Sequence, residues 1–160
     1  MRVEAKTAED TESLGGRFAR AYPERDDGLA IVYLTGDLGA GKTTFARGLL
    51  RAQGVQGPVR SPSYTLLEIY ETGTRTTLHL DLYRLREPSE LENLGLREWA
   101  RPGHLWLIEW PERGGARLPA ADVSVRFTSG AHAHEIALSS HTERGKSWLA
   151  RLTADTPGGT

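Results

Sequence analysis

The stretch Gly36-Asp-Leu-Gly-Ala-Gly-Lys-Thr43 constrains this chain more than any other. It fits G-x-x-x-x-G-K-[ST] at every fixed position, a match that average residue frequencies produce in a chain this long about 0.5% of the time. Its flanks agree with it. Leu29-Ala-Ile-Val-Tyr-Leu34 is a short apolar run and predicts a buried strand feeding the loop. Phe45 with Leu49, and Ala46 with Leu50, recur at helical spacing and predict a helix over 42–53 that stops by Gly54. Strand, glycine-rich turn and helix together make a phosphate loop. Gly36, Gly39 and Gly41 let the backbone wrap closely around a phosphate, while inward N–H groups and the helix N-terminus add partial positive charge. Lys42 brings a point charge to the β- and γ-phosphates, and Thr43 a hydroxyl to Mg²⁺. The chain holds 17 Arg but only Lys6, Lys42 and Lys146 as lysines, so a lysine at this place carries weight. Asp37, Leu38, Gly39, Ala40, Gly41, Lys42, Thr43 and Thr44 are therefore the expected contacts of a nucleoside triphosphate.

The 160 residues leave room for one domain, expected over 1–152. Residues 153–160 lack apolar periodicity and are expected to form a disordered tail. Twenty basic and twenty-one acidic residues leave a net charge of −1, with no overall pull towards nucleic acid or an anionic membrane. The absence of Cys excludes disulfides, thiolate nucleophiles and Cys-ligated metal sites. Met1–Asp10 lacks the apolar segment of a signal peptide, and Leu29–Leu34 and Leu105–Ile108 are far shorter than the roughly 20 residues that span a bilayer. A cytoplasmic protein is expected.

Thr7 reads as the N-cap of a helix whose apolar face carries Leu14, Phe18 and Ala21 or Tyr22. Tyr64–Glu71 and Arg75–Tyr83 flank Thr72-Gly73-Thr74 as a hairpin. A short helix starts at Pro88 and ends near Gly95. Leu105–Ile108 is a second buried strand, Val123–Phe127 and Glu135–Leu138 an antiparallel pair, and Thr142–Leu152 a closing helix. The pattern predicts an α/β protein, a three-layer P-loop NTPase-like fold with a mixed parallel and antiparallel central sheet.

Chemistry on a bound triphosphate needs an acid at the end of another strand. Leu105-Trp-Leu-Ile-Glu109 ends an apolar strand in a carboxylate, and Asp81 shares a strand face with His79. Either acid suits the metal or the attacking water, and sequence does not divide the roles. Ser61-Pro-Ser-Tyr-Thr65 reads either as a γ-phosphate-sensing loop or as a Ser-Pro turn. The Asn-Lys-x-Asp loop of common GTPases is absent, since Asn93 is the sole Asn, which favours ATP. His132 and His134 lack a near third ligand and make a poor zinc site. The four Trp read as packing residues, with Trp110 close enough to Glu109 to report nucleotide binding. No residue is an obvious arginine finger in cis, Arg84 being the best candidate, so hydrolysis by the chain alone is expected to be slow.

These residues resemble the TsaE (YjeE) family of small bacterial ATPases, which support threonylcarbamoyl modification of the adenosine beside the tRNA anticodon. The resemblance rests on Thr11-Glu-Ser-Leu-Gly15, Gly36–Phe45, Ser61-Pro-Ser-Tyr64, His79-Leu-Asp-Leu-Tyr-Arg84 and Ile108-Glu-Trp-Pro111, which span most of residues 8–115. It implies that Thr43 and Glu109 coordinate Mg²⁺, that Asp81 serves hydrolysis beside Lys42 and Glu109, and that Ser61–Tyr64 acts as a switch-like loop. Ser63 stands where the family usually has Thr, with the hydroxyl retained. His134-Glu135 stands where an Arg more often precedes the Glu on the adenine side. The resemblance further implies that ATP hydrolysis resets a TsaB–TsaD modification complex, with tRNA involved only indirectly. Two other readings fit a phosphate loop, a small-molecule kinase and a binding module gated by ATP without turnover.

Overall fold

A computed structural model describes residues 1–24, 28–73 and 75–156. The chain runs β1 (Arg2–Ala5), α1 (Ala8–Arg20), β2 (Ala30–Gly36), α2 (Lys42–Ala52), β3 (Leu67–Glu71), β4 (Thr76–Asp81), β5 (His104–Glu109), β6 (Val123–Ser129), β7 (His134–Ser140) and α3 (Glu143–Ala154). Short 3-10 turns at Pro88–Leu94, Leu96–Trp99, Pro111–Arg113 and Gly115–Arg117 fill the connections around β5. The seven strands form one sheet in the order β1-β7-β6-β2-β5-β4-β3. β2 pairs in parallel with β5 and β6, and β4 with β5, while the outer pairs are antiparallel. This is the expected mixed sheet of an α/β fold.

The strand-to-face alternation sorts the core into two layers. Ala30, Val32 and Leu34 of β2, with Leu105 and Leu107 of β5, face α1, α2 and α3. Ile31 of β2, Trp106 and Ile108 of β5 and Leu78 and Leu80 of β4 face the opposite way. Among the described residues no α-helix covers that second face. Leu85, Leu91 and Leu118, carried by the 82–118 segment and its 3-10 turns, close it instead.

α1 opens with a reciprocal capping box, in which the Thr7 hydroxyl accepts from Asp10 N–H and the Asp10 carboxylate from Thr7 N–H. Its inner face holds Leu14 and Phe18, and Phe18 stacks on Trp148 of α3 with ring centroids 4.2 Å apart. α1 and α2 touch backbone to backbone: a Cβ added at Gly48 would lie 1.9 Å from the Glu12 carbonyl, and one at Gly15 would lie 2.1 Å from that of Phe45. Buried Asp122 ties the far end together, accepting from Ile31 N–H at 2.8 Å and from the Thr142 hydroxyl at 2.7 Å.

Several boundaries differ from expectation. β1 was invisible in the charged N-terminus, because only Val3 and Ala5 face inward from this edge strand. β3 starts at Leu67 rather than at residue 64, since Leu66 adopts φ 67° and breaks the extended path. The segment after Pro88 winds as a 3-10 helix, ended by left-handed Gly95. α3 continues through Thr153 and Ala154, with the Thr153 and Thr156 hydroxyls returned to the carbonyls of Leu149 and Leu152. The rest of the expected tail, 157–160, and Thr74 of the hairpin turn lie outside the described residues.

Because the helix crossing has no room for a methyl group, Gly48→Ala is expected to cost about 1–3 kcal/mol of folding stability. Urea unfolding checks this, and an unchanged midpoint would show that the helices are not in contact there.

Candidate functional site

At the end of β2 the chain must turn sharply. Gly36 has φ 140°, and a Cβ there would sit 2.4 Å from the Phe127 carbonyl of β6, so a side chain is excluded. Gly41, at φ 112°, is the N-cap of α2, and no side chain bonds to that helix end. The amide hydrogens of the first turn are therefore free to meet an anion. Lys42 opens the helix and is only 5% exposed. Its ammonium folds back under the loop, donating to the carbonyls of Gly36 at 2.6 Å and Asp37 at 2.7 Å. Burial pushes the Lys42 ammonium below the usual lysine range, against the upward pull of the Glu109, Asp81, Glu112 and Asp37 carboxylates.

Parallel pairing brings the acids to this loop. Glu109, the last residue of β5, is in register with Leu34 of β2 on one side and Asp81 of β4 on the other. Both carboxylates project to the α2 side, the face opposite Leu80 and Ile108. Glu109 is buried and accepts from the Thr43 hydroxyl at 3.2 Å to each oxygen, and from His79 Nε2 at 2.6 Å. Asp81 accepts from the Ser61 hydroxyl and, at 2.9 Å, from Tyr83 N–H.

An aromatic rim closes over these groups. Trp110 follows Glu109 with φ 58°, a left-handed backbone rare for a bulky residue. That turn carries its ring to 4.6 Å from the Lys42 ammonium and 5.0 Å from the Tyr83 ring. Arg113 lies over Tyr83, and Arg84 lies 4.3 Å over Tyr64, which is 83% exposed. The resulting cleft measures about 460 Å³.

Of the residues expected from the sequence, Leu38, Gly39, Gly41, Lys42, Thr43, Thr44, Ser63, Asp81 and Glu109 line this cleft, as do Ser61 and Arg84. Asp37, Ala40 and His134 do not. Asp37 faces a separate groove beside Arg126, Ala40 is buried, and the His134 ring bonds the Ala40 carbonyl at 2.7 Å from behind the loop. Tyr83 and Trp110 complete the lining. Sequence reading missed Tyr83 as a site residue and left His79 without a role, although its place two residues before Asp81 on one strand face is a usable signal.

The donor set suits an anion beside a hard cation. The loop amides and Lys42 suit phosphate oxygens, and the Thr43 hydroxyl with the Glu109 carboxylate supplies two oxygen donors of the kind Mg²⁺ prefers. Among the described residues no cluster of three His, Asp or Glu side chains could hold a metal alone. A cation here would complete its shell from water and from phosphate, as Mg²⁺ commonly does.

Known proteins resemble this chain over most of its length. The family described as "Threonylcarbamoyl adenosine biosynthesis protein TsaE" matches residues 5–153. A Haemophilus influenzae protein named tRNA threonylcarbamoyladenosine biosynthesis protein TsaE is 47% identical over 142 residues, covering 86% of this chain and 90% of that protein. A Treponema pallidum protein of the same name is 35% identical over 125 residues, covering 78% of this chain and 89% of that one. The crystal structure of Bacillus subtilis YdiB superposes with a TM-score of 0.79 at 26% identity, covering 96% of this chain and 94% of that one. The strand-end acids, the phosphate loop and the sheet that joins them lie inside one continuous match, and the chain belongs to the TsaE family of tRNA threonylcarbamoyladenosine biosynthesis proteins.

Proposed function

We propose that this protein binds Mg²⁺·ATP in the cleft and hydrolyses it, and that hydrolysis resets a TsaB–TsaD complex between rounds of tRNA N6-threonylcarbamoyladenosine modification. The observation that carries the reading is the convergence of Lys42, Thr43, Asp81 and Glu109 at one edge of the sheet, inside a single cleft.

The chain's own groups divide the work. Loop amides of Leu38, Gly39 and Gly41 to Thr44 hold the β-phosphate, and the Lys42 ammonium leaves the carbonyls of Gly36 and Asp37 for the phosphate oxygens. Thr43 and Glu109 would hold Mg²⁺, which when bound neutralises charge on the phosphates. Asp81 is the remaining carboxylate of the cleft and orients the attacking water, with Ser61 as its present hydroxyl partner. Ser61 and Ser63 line the same cleft, so the 61–65 loop can sense the γ-phosphate and carry its state to the surface at exposed Tyr64. Arg84 is held over Tyr64, and slow turnover by the protein alone follows if a partner must release it.

Phosphate release from Mg²⁺·ATP should be low for the protein alone and should rise with the TsaB–TsaD pair. Lys42→Ala is expected to abolish that release together with triphosphate binding; full activity in this variant would end the phosphate-loop assignment. Tight ATP binding with no release in the presence of the pair would instead point to an ATP-gated binding module.

Asp81→Asn should lower stimulated turnover by about 100-fold or more, with ATP affinity close to that of the unaltered protein. Loss of affinity in step with turnover would move Asp81 from the water to the nucleotide.

A further inference from the structure

We infer that His79 is the positioning residue for Glu109. It holds one carboxylate oxygen so that the other, with the Thr43 hydroxyl, is presented to the divalent cation; this rests on the reading of Thr43 and Glu109 as the Mg²⁺ pair. His79 sits inside β4, in register with Leu107 and therefore one face-repeat below Glu109. It is fully buried, and its Nε2 lies 2.6 Å from Glu109 Oε2. A carboxylate can only accept, so Nε2 carries the hydrogen.

The rest of the ring has no other polar use. Nδ1 is buried without a hydrogen-bond partner among the described residues. Burying an unpaired ring nitrogen carries a cost that an apolar side chain would not. The contact that offsets this cost is the one to Glu109. The bond to Glu109 is the one hydrogen bond the ring makes among the described residues.

Geometry explains why Glu109 needs it. The Thr43 hydroxyl is 3.2 Å from both carboxylate oxygens and cannot choose between them. His79 does choose, and takes Oε2. With Oε2 held from beneath, the carboxylate plane is fixed and Oε1 stays available beside Thr43. Ligating carboxylates are commonly oriented in this way by a buried donor, and loss of such a partner weakens metal binding.

The test uses Mn²⁺ as the probe, read by electron paramagnetic resonance on the full chain with a non-hydrolysable ATP analogue. His79→Leu, which retains apolar volume, should weaken Mn²⁺ binding about tenfold. His79→Gln should recover most of the loss, because its amide nitrogen reaches the position of Nε2. Should His79→Leu fail to fold, His79→Asn, too short to reach Glu109, takes its place. Thr77→Ala is the control: it lies on the same strand face, loses a half-buried bond to Gln53, and should leave Mn²⁺ affinity unchanged. Unaltered Mn²⁺ affinity in His79→Leu, alongside a loss in Glu109→Gln, overturns the positioning role and spares the metal reading. Equal weakening by Thr77→Ala also overturns it, by tracing the effect to the strand as a whole. Unaltered affinity in Glu109→Gln removes the metal reading itself and this inference with it.

Discussion

Parallel pairing of β2, β5 and β4 decides where the phosphate loop and the two carboxylates of the cleft stand. Parallel strands finish at the same edge of a sheet, and open α/β sheets bind ligands outside that carboxyl edge. Here the edge collects the loop after Leu34, the carboxylate of Glu109 and the carboxylate of Asp81 in one row. A slip of one residue in β5 would turn Glu109 into the leucine-rich layer beneath the 3-10 turns and bring Ile108 to face Lys42. The apolar alternation of Leu105, Leu107, Trp106 and Ile108 prevents that slip, because each face already has its own core. Packing on both sides of the sheet thus holds the chemistry in register.

The same arrangement concentrates buried ionisable groups. Lys42, His79, Asp81 and Glu109 are all shielded from solvent at this end of the sheet. Each has a partner: carbonyls and an indole face for Lys42, Ser61 and Tyr83 N–H for Asp81, Thr43 and His79 for Glu109. Burial disfavours the charged form of Lys42, yet in the same low-dielectric setting an anion meeting that charge is attracted more strongly than it would be in water. The left-handed turn at Trp110 adds a local cost of about 1–3 kcal/mol and carries the indole over the ammonium. Such violations of local preference are expected at functional sites, where the surrounding core supplies the compensating stability.

Much of the fold was legible from pattern alone. β2, α2, the N-cap at Thr7 and the β6–β7 pair follow from periodicity and capping chemistry that act over a few residues. Elements whose form depends on distant partners were not legible. β1 exists because β7 offers it an edge, and four residues with two inward side chains carry too little signal by themselves. Of the 3-10 turns covering the second face, the one over Pro88–Leu94 was legible as a short helix ending near Gly95, whereas Leu96–Trp99, Pro111–Arg113 and Gly115–Arg117 are three or four residues long and too short to carry a period.

For the site, residue chemistry and spacing within short segments determined the phosphate loop, the acids at the ends of two strands and the hydroxyl-rich 61–65 loop. Those features are local, because a glycine turn or a strand-end carboxylate is written in a few adjacent residues. Only the tertiary structure decided that Asp81 stands beside Glu109, that Ser61 bonds the first and His79 the second, and that Trp110 covers Lys42. Those pairings join positions 20 to 68 residues apart in a sheet whose spatial order departs from chain order. Strand order and register arise from burying two apolar faces at once, a property of the whole chain that no single segment contains.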